Sequence, residues 1–182
     1  FEPQDWAAVW AILEPVFRAA ETYAFSADVS EEEARARWTE PPKEVFVAAD
    51  VATGAVLGTY YLTRNHDGPG DHVCNCGYVV APSARGRGVA GEMCRHSQDV
   101  AAARGFLAMQ FNMVAASNVG AVRLWKRLGF DVVGTLPGAF RHPTDGFVDA
   151  YVMFKRLADH GQDTSAPRPR SSTQNAPATP TT

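Results

Sequence analysis

Apolar residues first recur at helical spacing at Trp6, Val9, Trp10, Leu13, Val16 and Phe17, a single stripe that Asp5 is placed to cap. Ser30-Glu-Glu-Glu33 has the form of a capping box and predicts a short helix that ends before Pro41-Pro42. The pattern then changes to strand-like runs. Val45–Ala49 and Ala55–Thr63, joined through Thr53-Gly54, predict a hairpin, and His72–Val80 predicts a third, largely buried strand after the loop from Asn65 to Asp71. Val89–Ala103 returns to helical spacing, with Val89, Met93, Ser97 and Val100 on one side. A strand over Leu107–Val114 follows, then a helix over Asn118–Leu128 with Ala121, Leu124, Trp125 and Leu128 on one face and Gly129 as its stop. Val132–Thr135 and Phe147–Phe154 complete the strands, and His142-Pro143 and Asp145-Gly146 read as turn residues, with a substrate gate as the alternative. Helices alternate with strands in the middle and hairpins sit at both ends. That order predicts an α+β (mixed α/β) domain with a mixed, mostly antiparallel sheet, parallel only where a helix crosses over.

Composition narrows the class. The chain has 182 residues, 46% apolar and 20% charged, which suits one domain with a real core. A net charge of -3 leaves no strongly basic body, so a nucleic-acid partner is not expected. No apolar run would span a bilayer and no signal-peptide pattern is present, so no membrane partner is expected; Phe1 in place of an initiator Met reads as a trimmed start. Cys74, Cys76 and Cys94 are too few and odd in number for a disulfide scaffold and point to a reducing cytoplasm. From Ala158 onward the chain is rich in Pro, Ser, Thr and Ala. Residues 158–182 therefore read as a disordered low-complexity tail after a domain over 1–157.

The most informative run is Gly77-Tyr-Val-Val-Ala-Pro-Ser-Ala-Arg-Gly-Arg-Gly-Val-Ala90, a buried strand, a glycine-rich turn and an immediate helix start. Backbone N–H groups in such a turn converge on one point, and the helix N-terminus adds positive potential. Gly86 and Gly88 let an anion approach the backbone, and Arg85 and Arg87 add charge, so the turn reads as a phosphate or pyrophosphate site. No Gly-Lys-Ser/Thr follows, which excludes a Walker loop. Gly86-x-Gly88-x-x-Gly91 matches the dinucleotide expression literally. The strand about twenty residues further on, however, carries no acidic residue for a ribose.

Arg85-x-x-Gly88-x-Ala90 resembles the Arg/Gln-x-x-Gly-x-Gly/Ala signature of the GNAT acetyltransferases, and Asn118-x-x-Ala121-x-x-Leu124 with Leu128-Gly129-Phe130 resembles their later helix. The resemblance covers roughly Val45–Phe154. It implies acetyl-CoA as cosubstrate, held by Tyr78, Val79 and Val80 of the strand, by Arg85, Gly86, Arg87, Gly88, Val89 and Ala90 of the turn, and by Asn118, Ala121 and Trp125 of the later helix. It also implies a sheet splayed between the His72–Val80 and Leu107–Val114 strands. Many members carry Tyr, as the acid for the thiolate, where this chain has Trp125. An indole N–H donates a hydrogen bond but keeps its proton at neutral pH.

A narrower resemblance, to the proline-analogue (azetidine-2-carboxylate) N-acetyltransferases, rests on His72–Tyr78, Phe111–Val114, Val122–Trp125, Gly146–Ala150 and Glu21-Thr22-Tyr23. It implies Asn75 and Asn112 as catalytic residues, with Asn118 the other candidate for the second role, and Glu21, Thr22, Tyr23 and Asp149 in substrate binding. The substrate implied is a small amine or imino acid. Two readings of Asn75 stand side by side: its amide orients the amine, or it satisfies neighbouring backbone. The strand offers no carboxylate between His72 and Ala81, so proton removal would run through water to Asp71, His72, Glu21 or Asp149.

His72, Cys74 and Cys76 alternate on one strand face, but three groups at period two rarely complete a tetrahedron. No metal is expected, and buried thiols are the simpler reading. Cys94 beside Arg95 is either a lowered-pKa thiol or a core thiol. Arg123, Lys126 and Arg127 form a basic helix face, either solvated or facing the CoA adenosine phosphate. Acetyl transfer to a peptide or protein amine, and a non-catalytic acyl-CoA-binding regulator, are the rival functions. A homodimer remains open.

Overall fold

The computed structural model describes residues 1–157, so the tail expectation falls outside the described residues. The element order is α1 (Trp6–Ala19), α2 (Glu31–Thr39), β1 (Glu44–Ala49), β2 (Val56–Arg64), β3 (Val73–Val80), α3 (Val89–Ala103), β4 (Ala108–Ala115), α4 (Val119–Arg127), β5 (Asp131–His142) and β6 (Gly146–Arg156). The six strands form one sheet in the order β1-β2-β3-β4-β6-β5. All neighbours are antiparallel except β3 and β4, the pair joined by the α3 crossover. No helix among the described residues is long and apolar enough to cross a membrane.

Two cores lie on opposite faces of this sheet. On one, α1 and α2 bury Val9, Leu13, Phe17 and Trp38, and the Trp38 indole donates to Thr59 Oγ1 at 3.3 Å. On the other, α3 and α4 cover Tyr60, Leu62, Cys74, Met109, Phe111 and Met153. Burying this aromatic and aliphatic area is the dominant stabilising term. All three cysteines are free and buried.

Several local expectations need correction. Asp5 does not cap α1 with its side chain; its carboxylate accepts the Glu2 N–H at 2.6 Å and closes a 3₁₀ turn over Pro3–Asp5. Ser30 does cap α2, accepting from the Glu33 N–H at 3.1 Å. The buried stripe of α3 runs through Met93, Cys94, Ser97 and Ala101, while Val89 and Val100 are half-buried. On α4 only Trp125 is buried; Ala121, Leu124 and Leu128 are half-buried because they wall a cleft.

The largest difference is β5, which runs seven residues past Thr135 to His142. Pro137-Gly138 hides the continuation from a pattern search. In the structure these residues form a bulge: Leu136 pairs with Ala150 and Phe140 with Val148, so three β5 residues oppose Asp149 alone. Gly138 has φ +59°, and its N–H donates to Asp149 Oδ1 at 2.9 Å.

Candidate active site

β3 and β4 are paired at only two positions, Val73–Ala108 and Cys74–Met109, and then diverge. β4 itself bulges between Phe111 and Val114, where Asn112 and Met113 have no partner on β6. The divergence opens a cleft of about 1150 Å³ walled by β3, β4, the turn before α3, α4 and the segment after α1. Pockets of this scale hold extended small-molecule ligands.

The backbone of β3 supplies polar groups to the splay. Asn65 N–H bonds to Val73 C=O and Ala81 N–H to Leu57 C=O, so odd-numbered β3 residues spend their hydrogen bonds on β2. The N–H and C=O groups of Cys76, Tyr78 and Val80 therefore point toward β4, where the partner strand has moved away. One of these is met by a side chain: the Tyr23 hydroxyl donates to Tyr78 C=O at 3.1 Å.

At one end of the cleft lies the glycine turn. Gly86 and Gly88 have φ of +75° and +82°, conformations that favour glycine, and an added Cβ at either would meet nothing within 4 Å. The N–H groups of Gly86, Gly88, Val89, Ala90 and Gly91 have no acceptor among the described residues, and the first α3 backbone bond into the turn is Glu92 N–H to Gly88 C=O. Unpaired donors and open space at a helix start suit an anion. Arg85 lies in this turn, and Arg95, which pattern reading did not assign to it, lines the cleft beside Gly91; Arg95 is paired to Glu92 at 2.6 Å. Arg87 does not line the cleft. Its guanidinium turns to Asp50 of the β1–β2 turn at 3.4 Å. Of the basic face on α4, Arg127 lines the cleft and Arg123 and Lys126 do not.

The other end is built from side chains. Glu21, Thr22 and Tyr23 come from the segment after α1, and Asn75 stands one residue beyond the last β3–β4 pair, at the fork. Asn75 is half-buried and lines the cleft. Asn112 stands opposite, on the β4 bulge. Tyr61 and Gly77 belong here and were missed: a Cβ on Gly77 would lie 2.6 Å from Tyr61 Cε1 and 3.0 Å from the Tyr23 hydroxyl. A glycine inside a strand is the signal that could have found this close approach. Burial raises the Tyr23 hydroxyl well above its ordinary value and Tyr61 to about 12, so both are neutral hydroxyls at pH 7.

Tyr78, Val79, Val80, Val89, Ala90, Asn118, Ala121 and Trp125 all line the cleft. Asn118 is also the N-cap of α4, its Oδ1 accepting from the Ala121 N–H at 3.2 Å, which leaves its Nδ2 for other partners. Trp125 packs between Tyr78 and Phe111, with centroids 5.1 and 5.2 Å away.

Three expected proton acceptors lie elsewhere. Asp149 is spent on the β5 bulge and does not line the cleft. Asp71 and His72 sit at the opposite end of β3, beside Arg64 and Arg104. Glu21 is the one carboxylate among the described lining residues. Burial lifts the Cys94 thiol to about 11 and Cys76 well above its ordinary value, so neither is an activated thiol. No cluster suited to a metal ion occurs among the described residues.

Comparison with known proteins decides the family. The family model described as "Acetyltransferase (GNAT) family" matches residues 6–130. The chain belongs to the acetyltransferase (GNAT) family. A GCN5-related N-acetyltransferase from Kribbella flavida is 42% identical, with a TM-score of 0.82 over 86% of this chain and 95% of that one. The curated N-acetyltransferase aca1 of Schizosaccharomyces pombe is 35% identical over 116 residues, 60% of this chain but only 56% of that protein. The phosphinothricin acetyltransferase of Sinorhizobium meliloti, solved in complex with acetyl-CoA, shares the fold at a TM-score of 0.76 with 19% identity, over 94% of both chains. In this GNAT chain, the mixed sheet splayed between β3 and β4 is thus the family fold.

Proposed function

We propose that this chain is an acetyl-CoA-dependent N-acetyltransferase acting on a compact amine or imino acid. The observation that carries this is the splayed cleft, which ends in a turn with five unpaired backbone N–H groups and open space at both glycines. That turn fits a pyrophosphate. The splay-facing groups of Cys76, Tyr78 and Val80 fit the amide-bearing arm of the cosubstrate. Bound acetyl-CoA supplies an activated acetyl group as a thioester.

The chain's own residues then divide the work. Val80 N–H, free on the splay edge, is available to polarise a carbonyl. Asn75 at the fork orients the amine by accepting from its N–H. Glu21 accepts the amine proton through water, since the acceptor must be neutral to attack. Trp125 covers the cleft wall and holds its indole proton, so the leaving thiolate takes its proton from water or from a tyrosyl hydroxyl. The compact acceptor follows from the Tyr23–Gly77–Tyr61 contact, which narrows this end.

A thiol-release assay with acetyl-CoA over free amines, amino and imino acids including azetidine-2-carboxylate, and N-terminal and lysyl peptides tests the reading. Turnover with compact amines is expected. Turnover with peptides alone replaces it by protein acetylation. Tight acetyl-CoA binding without turnover of any acceptor replaces it by the regulator, which Trp125 in place of an acid favours.

A further inference from the structure

Three carboxamides make a ladder beside the acceptor end of the cleft. Gln110 Nε2 donates to Asn112 Oδ1 at 2.8 Å, and Asn112 Nδ2 donates to Asn65 Oδ1 at 2.7 Å. Asn65 lies just beyond β2 and is anchored by its own N–H to Val73 C=O at 2.8 Å. The ladder therefore ties the β4 bulge to the rigid β2–β3 pair across the point where β3 and β4 diverge. Asn112 needs such a tie, because neither it nor Met113 has a ladder partner on β6.

Counting hydrogen-bond capacity shows what remains. A carboxamide has two hydrogens and two lone pairs. Asn112 gives one of each to the ladder and keeps one of each, on an exposed side chain that lines the cleft. Asn65 Nδ2 is buried with no partner among the described residues. Running the ladder in the opposite direction would leave Asn65 Oδ1 as the buried unmet atom instead, so an unmet polar group stays at Asn65 either way. A buried unmet group costs free energy, so one in a folded chain calls for an explanation.

We propose that Asn65 is a positioning residue of the acceptor site. It locks the Asn112 carboxamide so that its remaining hydrogen and lone pair face the acceptor together. A carboxamide held in this way matches an acceptor that offers an N–H and an oxygen close by, as an α-amino or α-imino acid does. The role rests on the transferase reading above and adds to it a residue outside the cleft wall that acts through Asn112.

The test measures binding of azetidine-2-carboxylate, or of the compact amine that the panel turns over fastest, to the enzyme loaded with CoA, where no turnover occurs. Asn65→Ala should weaken acceptor binding by about tenfold, the scale of one net hydrogen bond, and leave acetyl-CoA affinity within about twofold. Asn65→Asp keeps an oxygen for the Asn112 N–H and should restore most of the loss. Asn65→Ala combined with Asn112→Ala should be no worse than Asn112→Ala alone, because the two act as a unit. If Asn65→Ala does not fold, Gln110→Ala carries the same expectation from the ladder's other end. Additive losses, an Asn65→Asp as weak as Asn65→Ala, or a parallel loss of acetyl-CoA affinity would overturn the role of Asn65 while leaving the transferase intact. A wild type that binds acetyl-CoA but no free amine overturns the compact-amine reading and this role with it.

Discussion

The two ends of the cleft are made from different materials. The proposed phosphate end is mostly backbone: two glycines at positive φ, five N–H groups without an acceptor among the described residues and a helix start, with Arg85 and Arg95 beside them. The proposed acceptor end is mostly side chain: Tyr23 and Tyr61 over Gly77, Asn75 at the fork, Asn112 on a bulge and Glu21 as the one acid among the described lining residues. Backbone recognition depends on local conformation and is contained in a short run of sequence. Side-chain recognition here draws on residues from 21 to 112, brought together only by the sheet. The first kind of end suits a ligand that never changes and the second one that does.

Substitutions at each end should separate these two designs. The largest effect belongs to Gly88. Gly88→Glu places a carboxylate beside the free N–H groups, and like-charge contact with a phosphate costs several kcal/mol. Acetyl-CoA affinity by calorimetric titration should fall by about 100-fold or more. Gly88→Ala adds only the strain of a left-handed residue, about 1–2 kcal/mol, and should lower thermal stability while keeping most of the affinity. Equal affinity losses in the two variants would mean that conformation, not the anion site, matters there.

Gly77→Ala should act at the other end. Its Cβ would sit 2.6 Å from the Tyr61 ring, so the aromatic wall must move. Acceptor kcat/KM should drop by about tenfold or more through misplacement, with acetyl-CoA affinity little changed. A loss of acetyl-CoA affinity of the same size would collapse the distinction between the ends.

Tyr23→Phe removes the hydroxyl bound to Tyr78 C=O and keeps the ring. The loss of one net hydrogen bond should cost about 1 kcal/mol of stability by chemical denaturation. It should also raise the acceptor KM more than the acetyl-CoA Kd. No change in either quantity would show that the segment after α1 is held by its aromatic packing alone.

The smallest effect is a control in the core beneath α3. Burial lifts the Cys94 thiol from its ordinary 9.0 to about 11. The unfolded chain therefore loses this proton first as pH rises. Folding stability should be unaffected below about pH 9, fall between 9 and 11, and level off above that. Cys94→Ala should remove part of that fall. An unaltered slope would mean that other groups dominate it.

The contrast between the ends also explains what could be read from the chain. The glycine turn was legible because positive φ favours a particular residue type, and the α4 start because Asn118 is a strong cap. The β1–β2 hairpin was legible from two strand-like runs joined through Thr53-Gly54. The acceptor end was harder: Tyr61 and Gly77 become neighbours through β2–β3 register, which no local pattern states. Asp149 fell outside the cleft because Pro137-Gly138 hides a bulge, and that bulge claims its carboxylate. Arg87 sits in the right motif but answers to Asp50, a partner 37 residues away. Asp71 and His72 lie in the turn that leads into β3, at its far end, since a strand of eight residues is long enough to leave the cleft altogether.

The placement of Trp125 gives the molecule its own optical reporter. Of the four tryptophans, Trp6, Trp10 and Trp38 belong to the cluster formed with α1 and α2, on the far face of the sheet, while Trp125 alone lines the cleft. Its indole lies against Tyr78 and Phe111 and is 8% exposed. Occupation of the cleft would change the polarity around that one ring and leave the other three as a constant background. Trp125 thus supplies an intrinsic emission signal for occupancy, readable without a label.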